Sequence, residues 1–301
     1  MLNNNTYLRS LLSKGVFAVN KVKNMTSVEV LEKLKKILLR ADVDPKDRPH
    51  HLRLGHGGTL DSTATGVLVV GIGWGCKVLP KLLKGTKKYV VTGHLGTATE
   101  TYNETGKVIM EKSYDHISLE RLEQILQTFE GRIYQIPPKY SALKFHGRRI
   151  ADLIREGKEI EMKPRPVFCY SVECVEFTPP NFKLKVSCGG GFYIRSLIHD
   201  IGLALDSCAH VTDLRRTQHG PFTEEDMLEP HHWTVDHITQ AIVMAKDKYY
   251  VELQRPRGKI CGMQVLLIVC QDQPKPSRSP DYNNIICITN SIPFNWETYM
   301  N

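Results

Sequence analysis

Paired metal-binding cysteines are missing from this sequence. None of its eight cysteines belongs to a CxxC, and the nearest two, Cys169 and Cys174, have four residues between them. With no signal peptide apparent, they read as free thiols of a reducing compartment, and a thiolate zinc site has no ligand frame. The twelve histidines form no HExxH or HxxxH set with a carboxylate. His50-His51 and His231-His232 therefore read as surface pairs in polar loops rather than metal ligands. Long hydrophobic runs are also absent, since nothing approaches the roughly 20 residues of a membrane span. Even MQVLLIVC at 263–270 is strand-sized. The expectation is a soluble protein with no membrane partner and no metal.

A dinucleotide fingerprint is missing too. VLVVGIGWG at 67–75 imitates a strand entering a glycine loop, but its glycines fall at 71, 73 and 75 and not in GxGxxG spacing. Pro80 then interrupts a short helix, and no βα rhythm follows. Those glycines read as a tight turn. Acidic residues are scarce at the start: the first is Glu29, which resembles a mitochondrial transit sequence. Yet GVFAV at 15–19 reads as the first strand, leaving only residues 1–14 as a short leader. The destination stays open within the cell: nucleus, cytoplasm or mitochondrion.

What is present is positive charge, unevenly placed. The net charge is +8, and residues 1–99 hold sixteen Lys/Arg against six acids. A basic first third suits either a polyanionic partner or a merely solvated face. Helical spacing of Val28, Leu31, Leu34, Ile37 and Leu38 predicts a helix over 27–39 with Ser27 as its N-cap. Residues 42–53 read as a charged loop, 67–70 and 89–95 as strands, and 119–129 as a helix opened by Ser118. Between Pro137 and Pro166 a proline-bracketed basic segment reads as an insertion, part helix and part loop. Strands at 172–177 and 182–187 flank Pro179-Pro180. A helix over 192–205 buries Ile194, Leu197, Ile198, Ile201 and Leu205 and leaves Arg195 on another face. The composition shifts after about residue 245, which sets a catalytic domain at 15–245 and a divergent tail at 246–301.

The stretch GHGGTLDSTATGVLVVG, residues 55–71, places one carboxylate, Asp61, between a glycine-rich approach and an apolar run. No second acid, histidine pair or metal ligand accompanies it, as most hydrolases would require. A lone aspartate is chemically sufficient if it attacks carbon itself. Uracil on ribose offers two such carbons, C6 of the base and C1′ of the sugar. Neither attack needs a cofactor, but the base must first leave its stack. The basic surround would then hold an RNA backbone. The plainer reading of Asp61 is a turn or capping residue; taken singly, Tyr89 reads as a core aromatic at a strand start and Arg195 as a helix-end surface charge.

Taken together, GHGGTLD with Ala64-Thr65-Gly66 resembles the catalytic motif of the TruB family of tRNA pseudouridine synthases. GVFAVNKVKNMTS (15–27), Lys88-Tyr89, YSALK (140–144), GGFYIR (190–195) and AHVTDLRR (209–216) are similar to further family motifs, in the family's order. The likeness spans about 15–230 and is strongest to a eukaryotic branch. It implies an α/β (α+β) pseudouridine synthase fold, a mixed, largely antiparallel sheet with flanking helices. It also implies isomerisation of the T-loop uridine of tRNA (U55), and of uridines in T-arm-like mRNA stem-loops, by a monomer without cofactor or guide RNA. In that scheme Asp61 is the nucleophile. Tyr89 stacks on the base and helps remove the C5 proton, and Arg195 orients Asp61. His56 fills the space the everted nucleotide leaves, and the 137–166 insertion is the clamp on the T-arm. Lys21, Tyr140, Lys144, Arg148 and Arg149 belong to the RNA contacts. Two departures stand out. The usual Asp-Lys-Pro is Asn20-Lys21-Val22. The family's Thr-Asp-Thr, whose acid supports the arginine, is Thr99-Glu100-Thr101, so Glu100 is the expected second carboxylate on Arg195. A non-catalytic RNA-binding protein or chaperone retaining the fold is the alternative. A guide-dependent synthase would want a recognisable C-terminal RNA-binding domain.

Overall fold

A computed structural model describes residue 11 and residues 13–40 and 52–254. The leader, most of the charged 42–53 loop and the tail beyond residue 254 lie outside the described residues. So does the tract QDQPKPSRSPDYNN.

One large sheet carries the architecture. Its strands are β1 (Val16–Lys21), β2 (Leu54–His56), β3 (Thr65–Ile72), β4 (Lys87–Leu95), β7 (Gly131–Gln135), β10 (Arg165–Thr178), β11 (Asn181–Cys188), β12 (Ala209–His219), β13 (Phe222–Thr223) and β14 (Met227–Leu228). The spatial order is β14-β1-β3-β12-β4-β11-β10-β7, with β2 on β3 and β13 on β12. Only β1–β14 and β3–β12 are parallel; the other pairs are antiparallel. Two short hairpins stand apart, β5 (Thr97–Thr99) with β6 (Val108–Glu111) and β8 (Lys144–Phe145) with β9 (Arg148–Arg149). The expected mixed, largely antiparallel sheet is what forms.

Helices cover it: α1 (Ser27–Arg40), α2 (Leu79–Lys84), α3 (Leu119–Thr128), α4 (Ile150–Arg155), α5 (Ile194–Ala204) and α6 (Val235–Gln254). Alternation explains the central strand β4. Lys87, Tyr89, Val91 and Leu95 are buried, and Val91 and Leu95 join Leu184, Leu197, Ile198 and Ile201 in one core cluster. A second cluster lies under α1 and α6, where Leu34 and Leu38 meet Phe17, Leu68 and Ile238.

Several expectations shift in detail. On α1 the buried stripe is Val30, Leu34 and Leu38, whereas Val28 is exposed. Ser27 is not its cap. Thr26 accepts the N–H of Glu29 on its hydroxyl, and the Glu29 carboxylate accepts the N–H of Thr26 in return, a capping box that leaves Ser27 free for another partner. Ser118 does cap α3, accepting the N–H of Arg121. The insertion holds β8, β9 and α4, then a stretch at 158–164 without regular structure. Helix α6 runs unbroken through residue 245, where the composition changes. Among the described residues no helix is long and apolar enough to cross a membrane.

Candidate active site

Asp61 stands in the loop between β2 and β3, and three buried groups hold that loop. Ser27, from the first turn of α1, donates its hydroxyl to the Leu60 carbonyl at 3.1 Å and accepts the Leu60 N–H at 3.0 Å. Lys21, at the end of β1, donates from Nζ to the carbonyls of Ser62 at 3.1 Å, Ala64 at 2.5 Å and Val22 at 3.0 Å. Arg216, from β12, donates to the Gly58 carbonyl at 3.0 Å and to the Val67 carbonyl at 2.8 Å. Gly66 permits this closeness: with φ +99°, a Cβ there would lie 2.2 Å from the Arg216 carbonyl oxygen.

The nucleophile candidate meets its arginine. Arg195 Nε lies 2.6 Å from Asp61 Oδ2, and Nη2 donates to Oδ1 at 3.0 Å. This two-point grip fixes the plane of the carboxylate. The helical spacing of α5 explains it: the apolar face goes to the sheet, and the Arg195 face turns to the loop carrying Asp61. The guanidinium is buried, while the Asp61 side chain keeps 33% of its surface. One partner is thus held rigidly and the other remains reachable.

Around them lies a cleft of about 180 Å³, lined among others by Asp61, Tyr89, Arg195, Leu214, Lys87 and Arg216. Tyr89, on β4, is buried, and burial pushes its phenol up to about 12, with the Arg216 charge beside it acting in the opposite direction. At neutral pH it presents a protonated aromatic face, suited to stacking.

The remaining expected residues divide. Glu100 does not support Arg195. The rest of the guanidinium's hydrogen bonds go to the carbonyls of Thr101 at 3.0 Å and Tyr140 at 2.9 Å. Among the described residues Asp61 is its one carboxylate partner. The turn after β5 aims the neighbouring carbonyl, not the Glu100 side chain, at the arginine. Lys21 presents no surface to an RNA either, since it is wholly buried and its ammonium is spent on the carbonyls of Val22, Ser62 and Ala64. Burial lowers its pKa to about 8, against the pull of Asp61. Tyr140 contributes its carbonyl to Arg195. His56 ends β2 half-buried with Nδ1 unpaired; burial, then Arg216 and Arg149, lower its pKa and favour the neutral ring. Lys144, Arg148 and Arg149 are exposed on the β8–β9 hairpin, where Arg148 pairs with Glu156. Sequence reasoning missed Arg216 and Lys87. Both were visible, one in the AHVTDLRR motif and one beside Lys88-Tyr89, but their burial at the cleft is a product of sheet register.

The chain is similar to known proteins over most of its length. The family model "TruB family pseudouridylate synthase (N terminal domain)" matches residues 46–194, and "tRNA pseudouridylate synthase B C-terminal domain" matches 195–256. The second match carries the likeness beyond residue 230. The human protein Pseudouridylate synthase TRUB1 is 50% identical over 252 residues, covering 81% of this chain and 72% of the relative. The tRNA pseudouridine synthase B of Francisella philomiragia is 42% identical over 216 residues, 71% of this chain and 68% of that one. Among solved structures, a chain of a Cbf5-Nop10-Gar1 complex shares 30% identity with a TM-score of 0.57 over 78% of this chain. A chain of an H/ACA RNP bound to a substrate RNA containing 2'-deoxyuridine shares 28% with a TM-score of 0.54 over 81%. This chain spans 61% and 60% of those two solved chains. With two family models together matching residues 46–256 and 50% identity to a relative over 81% of this chain, the chain belongs to the TruB family of pseudouridylate synthases, which are isomerases.

Proposed function

We propose that this enzyme converts the T-loop uridine of tRNA to pseudouridine, with Asp61 as nucleophile, and accepts T-arm-like mRNA stem-loops by the same recognition. The observation that carries the reading is the two-point contact of Arg195 with Asp61 at the mouth of a cleft that also holds Tyr89. An Asp61 oxygen attacks C6 or C1′, and the N1–C1′ bond breaks. The freed uracil turns, C5 bonds to C1′, and Asp61 is released. The C5 proton leaves and N1 takes one, so atoms and electrons balance without a co-reactant. Tyr89 supplies the stacking face for the everted base. The exposed cations of the β8–β9 hairpin hold phosphates, and Arg149 lies near enough for its charge to act on His56. The enzyme works as a monomer without a guide RNA, inside the cell.

The test uses a T-arm stem-loop with purified protein under single-turnover conditions. Asp61→Asn should abolish pseudouridine formation while RNA affinity stays within a few-fold, because a neutral amide is no nucleophile. Turnover comparable to wild type would remove Asp61 from the mechanism.

A further inference from the structure

Two cations besides Arg195 are buried at the cleft, and among the described residues no acid pairs with either. Arg216 is 1% exposed and Lys87 6%, both line the cleft, and among the described residues neither forms an ion pair. Burying an uncompensated charge is costly, so each needs a reason. Lys87 has a structural one. Its Nζ donates to the carbonyls of Leu82 at 3.3 Å, Leu83 at 2.8 Å and Gly85 at 2.7 Å. These belong to the end of α2, where helical carbonyls lack partners, so all three ammonium protons are spent on capping.

Arg216 is different. Nε and Nη2 are committed to Val67 and Gly58, which locks the guanidinium in place and leaves the Nη1 donors without a backbone acceptor. Beside it lie Tyr89, within hydrogen-bonding reach, and His219. His219 is fully buried, bonds the Leu82 carbonyl through Nε2 at 3.1 Å and is kept neutral by burial and by Arg216. The one carboxylate lining the cleft, Asp61, is gripped by Arg195, so among the described residues no acid pairs with Arg216 in the resting protein. The reaction supplies a second negative charge.

We propose that Arg216 is a further catalytic residue, a fixed guanidinium at the floor of the cleft that stabilises the negative charge developing on the uracil ring. This rests on the reading of Asp61 as nucleophile. If Asp61 attacks C1′, the electron pair of the N1–C1′ bond stays with uracil, and the charge spreads over N1, O2 and O4. If it attacks C6, the pair of the C5–C6 double bond moves onto C5 and O4. Either route makes an anion from a neutral base, and no proton donor is needed if a preorganised cation meets it. The anion is consumed when C5 bonds to C1′ and loses its proton. Lys87, fully hydrogen-bonded, adds only its field.

The test compares Arg216→Lys, which keeps the charge and loses the fork, with Arg216→Gln, which keeps donors and loses the charge. Single-turnover rates and RNA affinities are measured on the T-arm stem-loop. Arg216→Gln should slow turnover by about a hundredfold or more with affinity within a few-fold; Arg216→Lys should lose less. In Arg216→Ala, added guanidinium at millimolar concentration should restore part of the rate, and urea, of similar shape but uncharged, should not. Rescue by urea equal to that by guanidinium would show that the residue only fills space. Arg216→Gln faster than or equal to Arg216→Lys would also overturn the proposal. If Arg216→Gln turns over normally while Asp61→Asn is dead, this inference alone fails; if Asp61→Asn is active, the underlying reading fails first.

Discussion

At the scale of single residues, the site depends on how Arg195 is satisfied. A buried guanidinium with one carboxylate and two carbonyl partners has its fork largely occupied. Glu100 is then dispensable, and Glu100→Ala should turn over RNA within about twofold of wild type; a loss near that of Asp61→Asn would restore it as a partner. Lys21 makes the opposite prediction from a surface lysine. Lys21→Met should lower turnover by loosening Ser62 and Ala64, which follow Asp61 in its loop, while RNA affinity holds. A drop in affinity with unchanged turnover would return it to the RNA contacts. Its titration offers a second check. The folded pKa is near 8 against 10.5 for the free side chain, so the unfolded chain holds the proton longer as pH rises. Wild-type stability should therefore gain between pH 8 and 10.5, and Lys21→Met should shrink that gain when measured by denaturant midpoint.

At the scale of elements, the start of α1 divides two tasks between neighbours. Thr26 closes the helix end, and Ser27 reaches across to Leu60 with a donor and an acceptor bond. Thr26→Ala should cost about 1 kcal/mol of stability with turnover intact. Ser27→Ala should cost about 1–3 kcal/mol, because it leaves the buried Leu60 amide and carbonyl unpaired. It should also slow turnover, since the loop it anchors carries Asp61. Equal kinetic effects of the two substitutions would show that the anchor has no bearing on chemistry.

For the whole molecule, the proposed substrate is a polyanion, which the exposed cations of the β8–β9 hairpin and the net charge of +8 suit. Affinity for T-arm RNA should fall steeply with salt. Arg149→Glu should weaken binding and reduce the logarithmic salt slope by roughly one to two. Arg148→Glu should do less, because Glu156 already compensates Arg148. A salt-independent affinity would make the basic face merely solvated.

Much of this was legible in the residues alone. The lone carboxylate at 61 in its glycine setting, the absence of metal and dinucleotide frames, and the ordered motifs pointed to the family and to Asp61, Tyr89 and Arg195. Local periodicity placed β1, β3, β4, α1, α3 and α5, because alternation and helical spacing are properties of neighbours along the chain. Which partner a side chain meets is decided elsewhere. Thr101 and Tyr140 supply carbonyls to Arg195 from segments 94 and 55 residues away, and a carbonyl leaves no mark in a sequence. The family likeness therefore directed attention to the Glu100 carboxylate when the acceptor was the next residue's backbone. Lys21 reads as an RNA contact and Arg216 only as part of a family motif, until strand pairing buries them, Lys21 beneath the Asp61 loop and Arg216 across β3 at Gly66. Charge is written in the sequence, but its burial is set by the register of β1, β3, β4 and β12. That register is what turns two ordinary cations into a loop anchor and the floor of a cleft.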